Sequence, residues 1–283
     1  MMDKPTISAC VIVGDDRDSN LMRCLDSVKG AVDEIIVVHT GCSVKTRTII
    51  SQYTDRIYHL KWKNSFSDAR NYSIGKATCD WILYIDSDEY LVNPGLIRLG
   101  LKPGDKAYLL RVNHVDDKNS IIVAEGITRV FRNGCNFRFF GDIHEIIEDE
   151  DGCEVVGANE IQGPVIFHTG YSNDKVMREK TLRNFELLKA YVEKNPGRRI
   201  NYFFLARDYY NLARYEVIER GMLTEGALDF LRKSIEMAEK FSSMKGGRRF
   251  EDTAVELRDL CRMTLLFKDR HEVVNMLKEP LST

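Results

Sequence analysis

The stretch Trp81-Ile-Leu-Tyr-Ile-Asp86-Ser-Asp88-Glu89 is an apolar run that ends abruptly in three carboxylates. A short, continuous apolar run predicts a strand that is buried on both faces, and such strands belong to parallel sheets flanked by helices. The acids that follow the run should therefore lie at the carboxyl edge of the sheet, where open α/β sheets bind their ligands. We predict a chemical role for Asp86 and Asp88 at this edge.

The sequence before this stretch alternates between strand and helix patterns. Apolar runs at residues 7–13, 34–38 and near Ile57 predict strands, and the stretches 20–29, 43–53 and 67–76 predict helices. Repeated βα units imply right-handed crossovers and a mainly parallel sheet. The loops after the strands should then converge at one edge, and these loops contain Asp15, His39 and Asp86.

The pattern changes after Pro94. Short β-type runs at residues 107–112, 121–124, 128–131 and 137–140 predict an antiparallel extension of the sheet. From Asn173 onward, helical periodicity dominates at residues 176–192, 202–218, 226–241 and 251–266. We therefore predict an α/β domain over residues 1–172 and an all-α domain over residues 173–283. One helix pair of the second domain resembles a tetratricopeptide (TPR) repeat, and ordinary amphipathic helix packing is an equally good reading of it.

Composition narrows the class of protein. With 283 residues, 43% hydrophobic and 30% charged, the chain has the balance of a globular protein with one large α/β domain and an appendage. The net charge of −2 gives no argument for a nucleic acid partner or an anionic membrane. The chain also lacks a signal-peptide pattern and a membrane-length apolar run, so we expect a cytoplasmic protein without a transmembrane segment. Seven scattered cysteines without a C-x-x-C pair fit reduced thiols.

The spacing of Asp86 and Asp88 suggests a metal site. In an extended chain, the two carboxylates point to the same side while Ser87 points away. Two nearby carboxylates repel each other, and a divalent cation relieves that repulsion. Hard oxygen ligands favour Mg²⁺ or Mn²⁺ over Zn²⁺, and such ions often bridge to substrate phosphates. The alternative reading is an acidic pair that merely ends a strand in solvent.

A second feature precedes the apolar run. The stretch Ser65-Phe-Ser67-Asp68-Ala-Arg70-Asn71 opens a predicted helix, with Ser67 as its N-cap. Arg70 would lie near the helix N-terminus, where free amides favour anions. We therefore predict that Arg70 contacts a phosphate or a nucleotide; a salt bridge to Asp68 or to another loop carboxylate is the alternative.

Taken in order, these pieces closely resemble family 2 glycosyltransferases of the GT-A fold. The resemblance rests on residues 7–13, 23–27, 32–38, 40–41, 66–71 and 81–89. Residues 139–145 and 167–171, followed by helices, resemble the subgroup that carries a TPR-like C-terminal region. The resemblance implies a Rossmann-like GT-A domain with a mainly parallel sheet and an antiparallel extension, followed by an all-α helical tail.

The resemblance also implies a reaction and its residues. It implies inverting, metal-dependent transfer of a sugar from a nucleotide-diphosphate donor, first of all a UDP-sugar, to a saccharide, lipid or peptide acceptor. The implied donor-binding residues are Val13, Asp15, His39, Arg70, Asp86 and Ser87. The cation, Mn²⁺ or Mg²⁺, is assigned to Asp88, Asp86 and His168, although His168 also fits a buried structural histidine. The candidates for the base are Asp142, His144 and Glu145, of which Glu145 is favoured.

Two departures from the family pattern bear on the donor. His39 stands where the family commonly has an aspartate that contacts the nucleotide base, and the first strand ends in Val13-Gly-Asp15-Asp16 in place of Lys-Asn-Glu. A neutral histidine can still accept one hydrogen bond from a base, so we expect changed base selectivity.

Two other classes of protein are considered. A haloacid-dehalogenase-type phosphatase is disfavoured, because Tyr90 stands where that motif needs Thr or Val. The main alternative is a catalytically degenerate nucleotide-sugar-binding protein that works as a scaffold through its helical tail. That tail is expected to dock the acceptor or to form a homodimer.

Overall fold

A computed structural model describes residues 4–14, 18–116, 118–157, 159–169, 174–246, 250–268 and 271–277. The chain divides into two compact units, Met1–Ser172 and Asn173–Thr283. Asp15 and Asp16, in the loop predicted to follow the first strand, lie outside the described residues.

The first unit is built on strands. They are β1 (Ile7–Val13), β2 (Glu34–His39), β3 (Ile57–His59), β4 (Trp81–Asp86), β5 (Glu89–Val92), β6 (Ala107–Val115), β7 (Ile121–Arg132), β8 (Arg138–Phe140), β9 (Ile146–Glu148) and β10 (Asn159–His168). Its helices are α1 (Asp18–Val28), α2 (Val44–Ile50), α3 (Phe66–Ile74) and α4 (Gly95–Gly100).

Eight of these strands form one sheet in the order β3-β2-β1-β4-β7-β6-β10-β5. The first four strands pair in parallel, β7 and β5 run antiparallel to their neighbours, and β8 and β9 form a separate ribbon. The predicted fold class, a mainly parallel α/β sheet with an antiparallel extension and C-terminal helices, is thereby confirmed. The apolar run that predicted β4 is buried from Trp81 to Ile85, as expected for a central strand covered on both faces.

Two strand predictions were wrong in detail. The runs predicted separately at residues 121–124 and 128–131 are parts of the single strand β7. Residues 125–127, between these runs, continue the strand because they pair with β6, and cross-strand pairing cannot be read from local periodicity. Strand β5 was not predicted at all; Glu89, at its start, is buried.

Helix α3 carries Arg70, and its start differs from the prediction. The N-cap is Ser65, not Ser67: Ser65 has an extended backbone and its hydroxyl accepts a hydrogen bond from the amide of Asp68 at 3.2 Å. The Ser67 hydroxyl instead lies 3.1 Å from that of Ser65, inside the helix. The helix therefore begins two residues earlier than Ser67 would require as a cap.

Asn71 ties α3 to the β8–β9 ribbon. Its side-chain amide donates to the carbonyl of Phe139 and accepts from the amide of the same residue, each at 2.8 Å. The buried side chain of Phe139 packs edge-on against Tyr84 of β4. This pair of hydrogen bonds holds the segment that follows β8 close to the helix that carries Arg70.

The second unit is helical over its described residues. It contains α5 (Asp174–Lys194), α6 (Arg199–Arg220), α7 (Glu225–Ser243), α8 (Glu251–Leu266) and α9 (His271–Met276). Small side chains on α6 and α7, Ala206, Ala213 and Ala227, are fully buried in its core and let these helices pack closely. This packing fits the predicted TPR-like tail. None of the described helices is both long and apolar enough to cross a membrane.

Replacing Asn71 should loosen the ribbon. Asn71→Ala removes both hydrogen bonds to Phe139 and leaves buried backbone groups unpaired, so we expect the free energy of unfolding to fall by about 2 kcal/mol. Asn71→Asp should also destabilise, because a carboxylate cannot donate to the Phe139 carbonyl. Urea denaturation measures both effects. The control is Gln52→Ala, which removes an exposed amide. If Asn71→Ala unfolds at the same urea concentration as this control, the two hydrogen bonds between Asn71 and Phe139 have no structural role.

Candidate active site

The carboxyl ends of the central strands bring the predicted residues together. In the parallel register, Val13 at the end of β1 lies beside His39 of β2, and Asp86 of β4 lies beside Ile12. The amide of Thr40 donates to the carbonyl of Val13 at 2.9 Å, which joins the two strand ends. The edge predicted from the βα order is therefore a real feature of the sheet.

Arg70 bridges two of the predicted acids. Its Nη1 lies 2.8 Å from Oδ1 of Asp86, its Nη2 lies 3.2 Å from Oδ2 of Asp86, and its Nε lies 2.9 Å from Oε1 of Glu145. The guanidinium also packs near the rings of Tyr84 and Phe139. Burial alone would lower the pKa of Arg70, but the two carboxylates raise it, so the group stays charged. The alternative of a salt bridge to a loop carboxylate thus has a geometric basis, and contact with a phosphate stays a prediction.

A second buried arginine, Arg129 of β7, was not found from the sequence. Its Nη2 lies 2.6 Å from Oε1 of Glu89, and its Nη1 lies 3.8 Å from Oδ2 of Asp86. Glu89 also accepts a hydrogen bond from the amide of Asp86 at 3.0 Å. The sequence feature that could have pointed to it is a charged residue, Arg129, inside the β-type run 128–131.

The charges in this network set the protonation of its acids. Burial raises the pKa of Glu89, against the lowering effect of Arg129. Burial also acts to raise the pKa of Asp86, but Arg70 and Arg129 together hold it below its usual range. Asp86 is therefore ionised at neutral pH, and its two oxygens are engaged by guanidinium groups.

Asp88 and His168, which the sequence analysis assigns together to a cation, lie in contact. Oδ2 of Asp88 lies 3.3 Å from Nε2 of His168. Burial lowers the pKa of His168, but the carboxylate of Asp88 raises it above its usual value. Residues 87–88 form a turn between β4 and β5, so the extended geometry that we assumed for Asp86 and Asp88 is wrong. Ser87 is buried in this turn.

The segment that holds the base candidates is tightly bent. Gly141 and His144 have left-handed backbone angles, with φ of 101° and 53°. The backbone carbonyl of Asp142 accepts a hydrogen bond from the amide of Phe66 at 2.9 Å. Of the three candidates, Glu145 is the one whose side chain meets Arg70, while its second oxygen makes no hydrogen bond or ion pair with a described residue.

His39 is a buried, neutral histidine. Burial lowers its pKa, and the neighbouring His59 and Arg47 lower it further. Its ring lies 4.9 Å from that of His59, centroid to centroid, and its Nδ1 is buried without a hydrogen-bond partner.

Asp88 and His168 are spaced as two ligands of one divalent cation would be. Two cis ligands at ~2.1 Å in octahedral coordination lie about 3.0 Å apart. The separation of 3.3 Å between Asp88 and His168 fits such a pair. Over the ranges that the structure describes, no group of three or more His, Cys, Asp or Glu side chains could hold a metal ion.

The first unit thus belongs to the α/β proteins that gather polar side chains at the carboxyl edge of a mainly parallel sheet, the edge where such proteins bind their ligands. Residues 10–119 match the model of glycosyl transferase family 2. The similarity to this family therefore lies within the first unit.

Curated relatives extend the similarity beyond that domain. The chain is 31% identical over 267 residues to the glycosyltransferase SunS of Bacillus phage SPbeta, which covers 90% of this chain and 58% of SunS. It is also 31% identical over 200 residues to a TPR repeat-containing protein of Synechococcus elongatus, covering 67% of this chain and 49% of that protein. The chain thus spans about half the length of these relatives.

Two solved structures show partial similarity to the chain. A structure of S. aureus TarS 1-349 in complex with UDP-GlcNAc has a TM-score of 0.49 and 12% identity, and covers 97% of this chain and 90% of that one. Glucosyl-3-phosphoglycerate synthase from Mycobacterium tuberculosis in complex with Mn²⁺ and UDP-Glc has a TM-score of 0.31 and 22% identity, over 39% of this chain and 44% of that one.

The buried pair of Arg129 and Glu89 should be costly to break. Arg129→Met leaves a buried carboxylate without its guanidinium, so the free energy of unfolding should fall by about 3–5 kcal/mol. The double variant Arg129→Met with Glu89→Gln should lose less free energy of unfolding than the sum of the two single variants. The reason is that each single change leaves the other residue buried without its partner. Urea unfolding of the three variants measures this coupling. Lys45→Met, which removes the exposed ion pair with Asp18, serves as the control and should change little. Strict additivity would contradict the account of this network.

Proposed function

We propose that this protein is a glycosyltransferase that moves a sugar from a nucleotide-diphosphate donor to an acceptor, with inversion at the sugar carbon. The donor that we favour is a UDP-sugar. The observation that carries the proposal is the junction of Arg70, Asp86 and Glu145 at the carboxyl edge of β4. This junction joins the domain that matches glycosyl transferase family 2 to the segment after β8. The name of the SunS relative supports the same activity.

The donor would be bound by groups at the strand ends. Val13, His39, Arg70, Asp86 and Ser87 are proposed to hold the nucleotide, together with Asp15. Arg70 fixes the carboxylate of Asp86 through two hydrogen bonds, so this carboxylate is pre-oriented for a ribose hydroxyl. Neutral His39 is proposed to face the base, which suits a uracil imide as a hydrogen-bond donor.

Asp88 and His168 are proposed to hold a divalent cation, Mn²⁺ or Mg²⁺, with Asp86 beside them. As the bond between the sugar carbon and the diphosphate breaks, negative charge develops on the leaving group and the sugar gains oxocarbenium character. A bound cation would stabilise that charge as a Lewis acid. The remaining ligands would be diphosphate oxygens and water, as is usual for Mg²⁺ sites in enzymes.

Glu145 is proposed as the base. One oxygen is held by Arg70, which fixes the side chain, and the other makes no hydrogen bond or ion pair with a described residue. An acceptor nucleophile that loses its proton to Glu145 attacks the sugar carbon from the face opposite the diphosphate, and a single displacement of this kind inverts the carbon. His144 and Asp142 flank Glu145 and are the other candidates for this role.

The activity itself is tested with a panel of nucleotide sugars. The purified protein is incubated with each donor and Mn²⁺, and release of the nucleoside diphosphate is measured. We expect turnover of at least one donor, fastest among UDP-sugars. Donor binding without turnover of any donor, with or without candidate acceptors, would instead support a degenerate binding protein that works through its helical tail.

Asp88→Ala should remove cation-dependent donor hydrolysis and leave the fold intact, because the side chain is proposed to be a ligand and is partly exposed. The release of nucleoside diphosphate over a range of Mn²⁺ concentrations measures the effect. Asp55→Ala removes an exposed carboxylate elsewhere in the same unit and should behave like the wild type. Unchanged hydrolysis in Asp88→Ala would refute the assignment of the cation.

Glu145→Gln should lower kcat by about 10²–10⁴-fold while the KM for the donor changes little, as expected when a base is lost and binding is kept. Steady-state kinetics with the best donor of the panel measures both constants. If KM rises strongly and kcat is preserved, Glu145 acts only by holding Arg70, and the base must be sought at Asp142 or His144.

A further inference from the structure

A line of polar side chains runs away from the proposed cation site across the sheet. Nε2 of His168 lies 3.3 Å from Asp88, and Nδ1 of His168 lies 3.0 Å from Nδ1 of His114. Nε2 of His114 in turn lies 2.9 Å from Oε1 of Glu125. His114 is buried, whereas the side chain of Glu125 is 45% exposed. The line therefore links the site to a surface carboxylate on another strand.

Strand register holds these groups in place. His114 of β6 and His168 of β10 are directly paired in the parallel register. Glu125 of β7 is the partner of Val112, so it is the diagonal neighbour of His114 on the same face of the sheet. At the other end, His168 pairs with Glu89, the residue after Asp88. Backbone pairing therefore builds the line.

The carboxylate of Glu125 sets the direction of the hydrogen bonds. An ionised carboxylate can only accept, so Nε2 of His114 must donate to it. A neutral imidazole that donates from Nε2 carries a lone pair at Nδ1, so Nδ1 of His114 would accept from the Nδ1–H of His168. The Nε2 of His168 is left to face Oδ2 of Asp88, and two acceptors at this distance repel unless a proton or a cation satisfies both.

We propose that Glu125 and His114 are positioning residues that fix the tautomer of His168, so that its Nε2 lone pair and Asp88 together bind a divalent cation. The inference rests on the proposed function, because it concerns the cation of the same site. The physical reason is the one known for metal-bound histidines, whose second ring nitrogen donates to a partner that fixes the ring and its tautomer. Here that partner is a second histidine, fixed in turn by a carboxylate.

The opposite tautomer shows what Glu125 prevents. If His114 carried its proton on Nδ1, it would donate to His168, which would then donate from Nε2 to Asp88. That arrangement satisfies Asp88 without any cation and competes with metal binding. It would also direct the lone pair of His114 Nε2 at the carboxylate of Glu125, which is repulsive. Glu125 therefore favours the arrangement that needs a cation.

The test measures binding of Mn²⁺ alone, by calorimetric titration and by the electron paramagnetic resonance signal of the free ion. We expect Glu125→Ala to raise the Kd for Mn²⁺ by about 10-fold or more, the range found when such supporting partners are lost. Glu160→Ala is the matched control, because it removes the same charge from β10, and its carboxylate makes no hydrogen bond or ion pair with a described residue. It should leave the Kd within about twofold of the wild type.

A double variant separates the hydrogen-bond chain from simple charge. In His114→Asn, the side-chain oxygen can replace Nδ1 as the acceptor, and it has no tautomers. In that background, Glu125→Ala should cost nothing further in Mn²⁺ affinity. If Glu125 acted only through its charge, the cost would be the same in both backgrounds, and the inference would be overturned.

The tautomer itself can be observed with ¹⁵N NMR of the histidine rings, which keeps the test valid even if a variant folds poorly. We expect the wild-type His114 to carry its proton on Nε2, and a proton on Nδ1 would overturn the inference. The outcomes also separate the two proposals. Tight Mn²⁺ binding that Glu125→Ala does not weaken refutes the inference alone, whereas Mn²⁺ binding that depends on Glu125 without any sugar transfer refutes the proposed function alone. Absence of Mn²⁺ binding by the wild type refutes the inference and the proposed cation together.

Discussion

The bridge that Arg70 makes between Asp86 and Glu145 is the interaction on which the candidate site depends. These residues come from α3, from the end of β4 and from the segment before β9, so one guanidinium joins parts of the chain that are distant in sequence. Because the side chain of Arg70 is only 12% exposed, its charge must be matched locally, and the two carboxylates provide that match. Removing the bridge would leave buried charges unpaired and would separate the proposed base from the proposed donor site.

A second constraint is the number of acids held at one sheet edge. Glu89 is buried, Asp86 is partly buried, and Asp88 lies in the turn between them. Arg70 and Arg129 compensate Asp86 and Glu89, which leaves Asp88 with His168. The arginines therefore neutralise Asp86 and Glu89, whereas Asp88 is proposed to share a cation with His168. The contacts that run from His168 through His114 to Glu125 extend this pairing of charged and polar groups to the antiparallel part of the sheet.

Much of the parallel half could be predicted from the sequence. The bounds of β1 and the start of β4 follow from continuous apolar runs, because a strand buried on both faces leaves a signal in every residue. Their order along the chain also predicted that the loops with Asp15, His39 and Asp86 would converge at one edge, and His39 and Asp86 lie at the strand ends there. The predicted contact partner of Arg70 stayed open, since local pattern cannot choose between a phosphate and a carboxylate.

The antiparallel half was less accessible. Strand β5 is short and begins with a buried glutamate, so its composition gave no strand signal. Arg129 reaches Glu89 across 40 positions of sequence, and Glu125 reaches His114 only through the register of β6 and β7. Ser65 and Ser67 are chemically equivalent as caps, and the backbone conformation of Ser65 decides between them. The contacts of Arg129 and Glu125 depend on tertiary pairing, which a single sequence does not encode locally.

The central claim is that the edge organised by Arg70 is the binding site of a nucleotide diphosphate and its cation. Crystals grown with UDP and Mn²⁺, with diffraction recorded near the manganese absorption edge, test it directly. The account predicts one strong anomalous peak bound by Asp88 and His168, with the diphosphate on its open side and the nucleoside near Asp86 and His39. A manganese peak away from these residues, or UDP bound elsewhere on the chain, would contradict it.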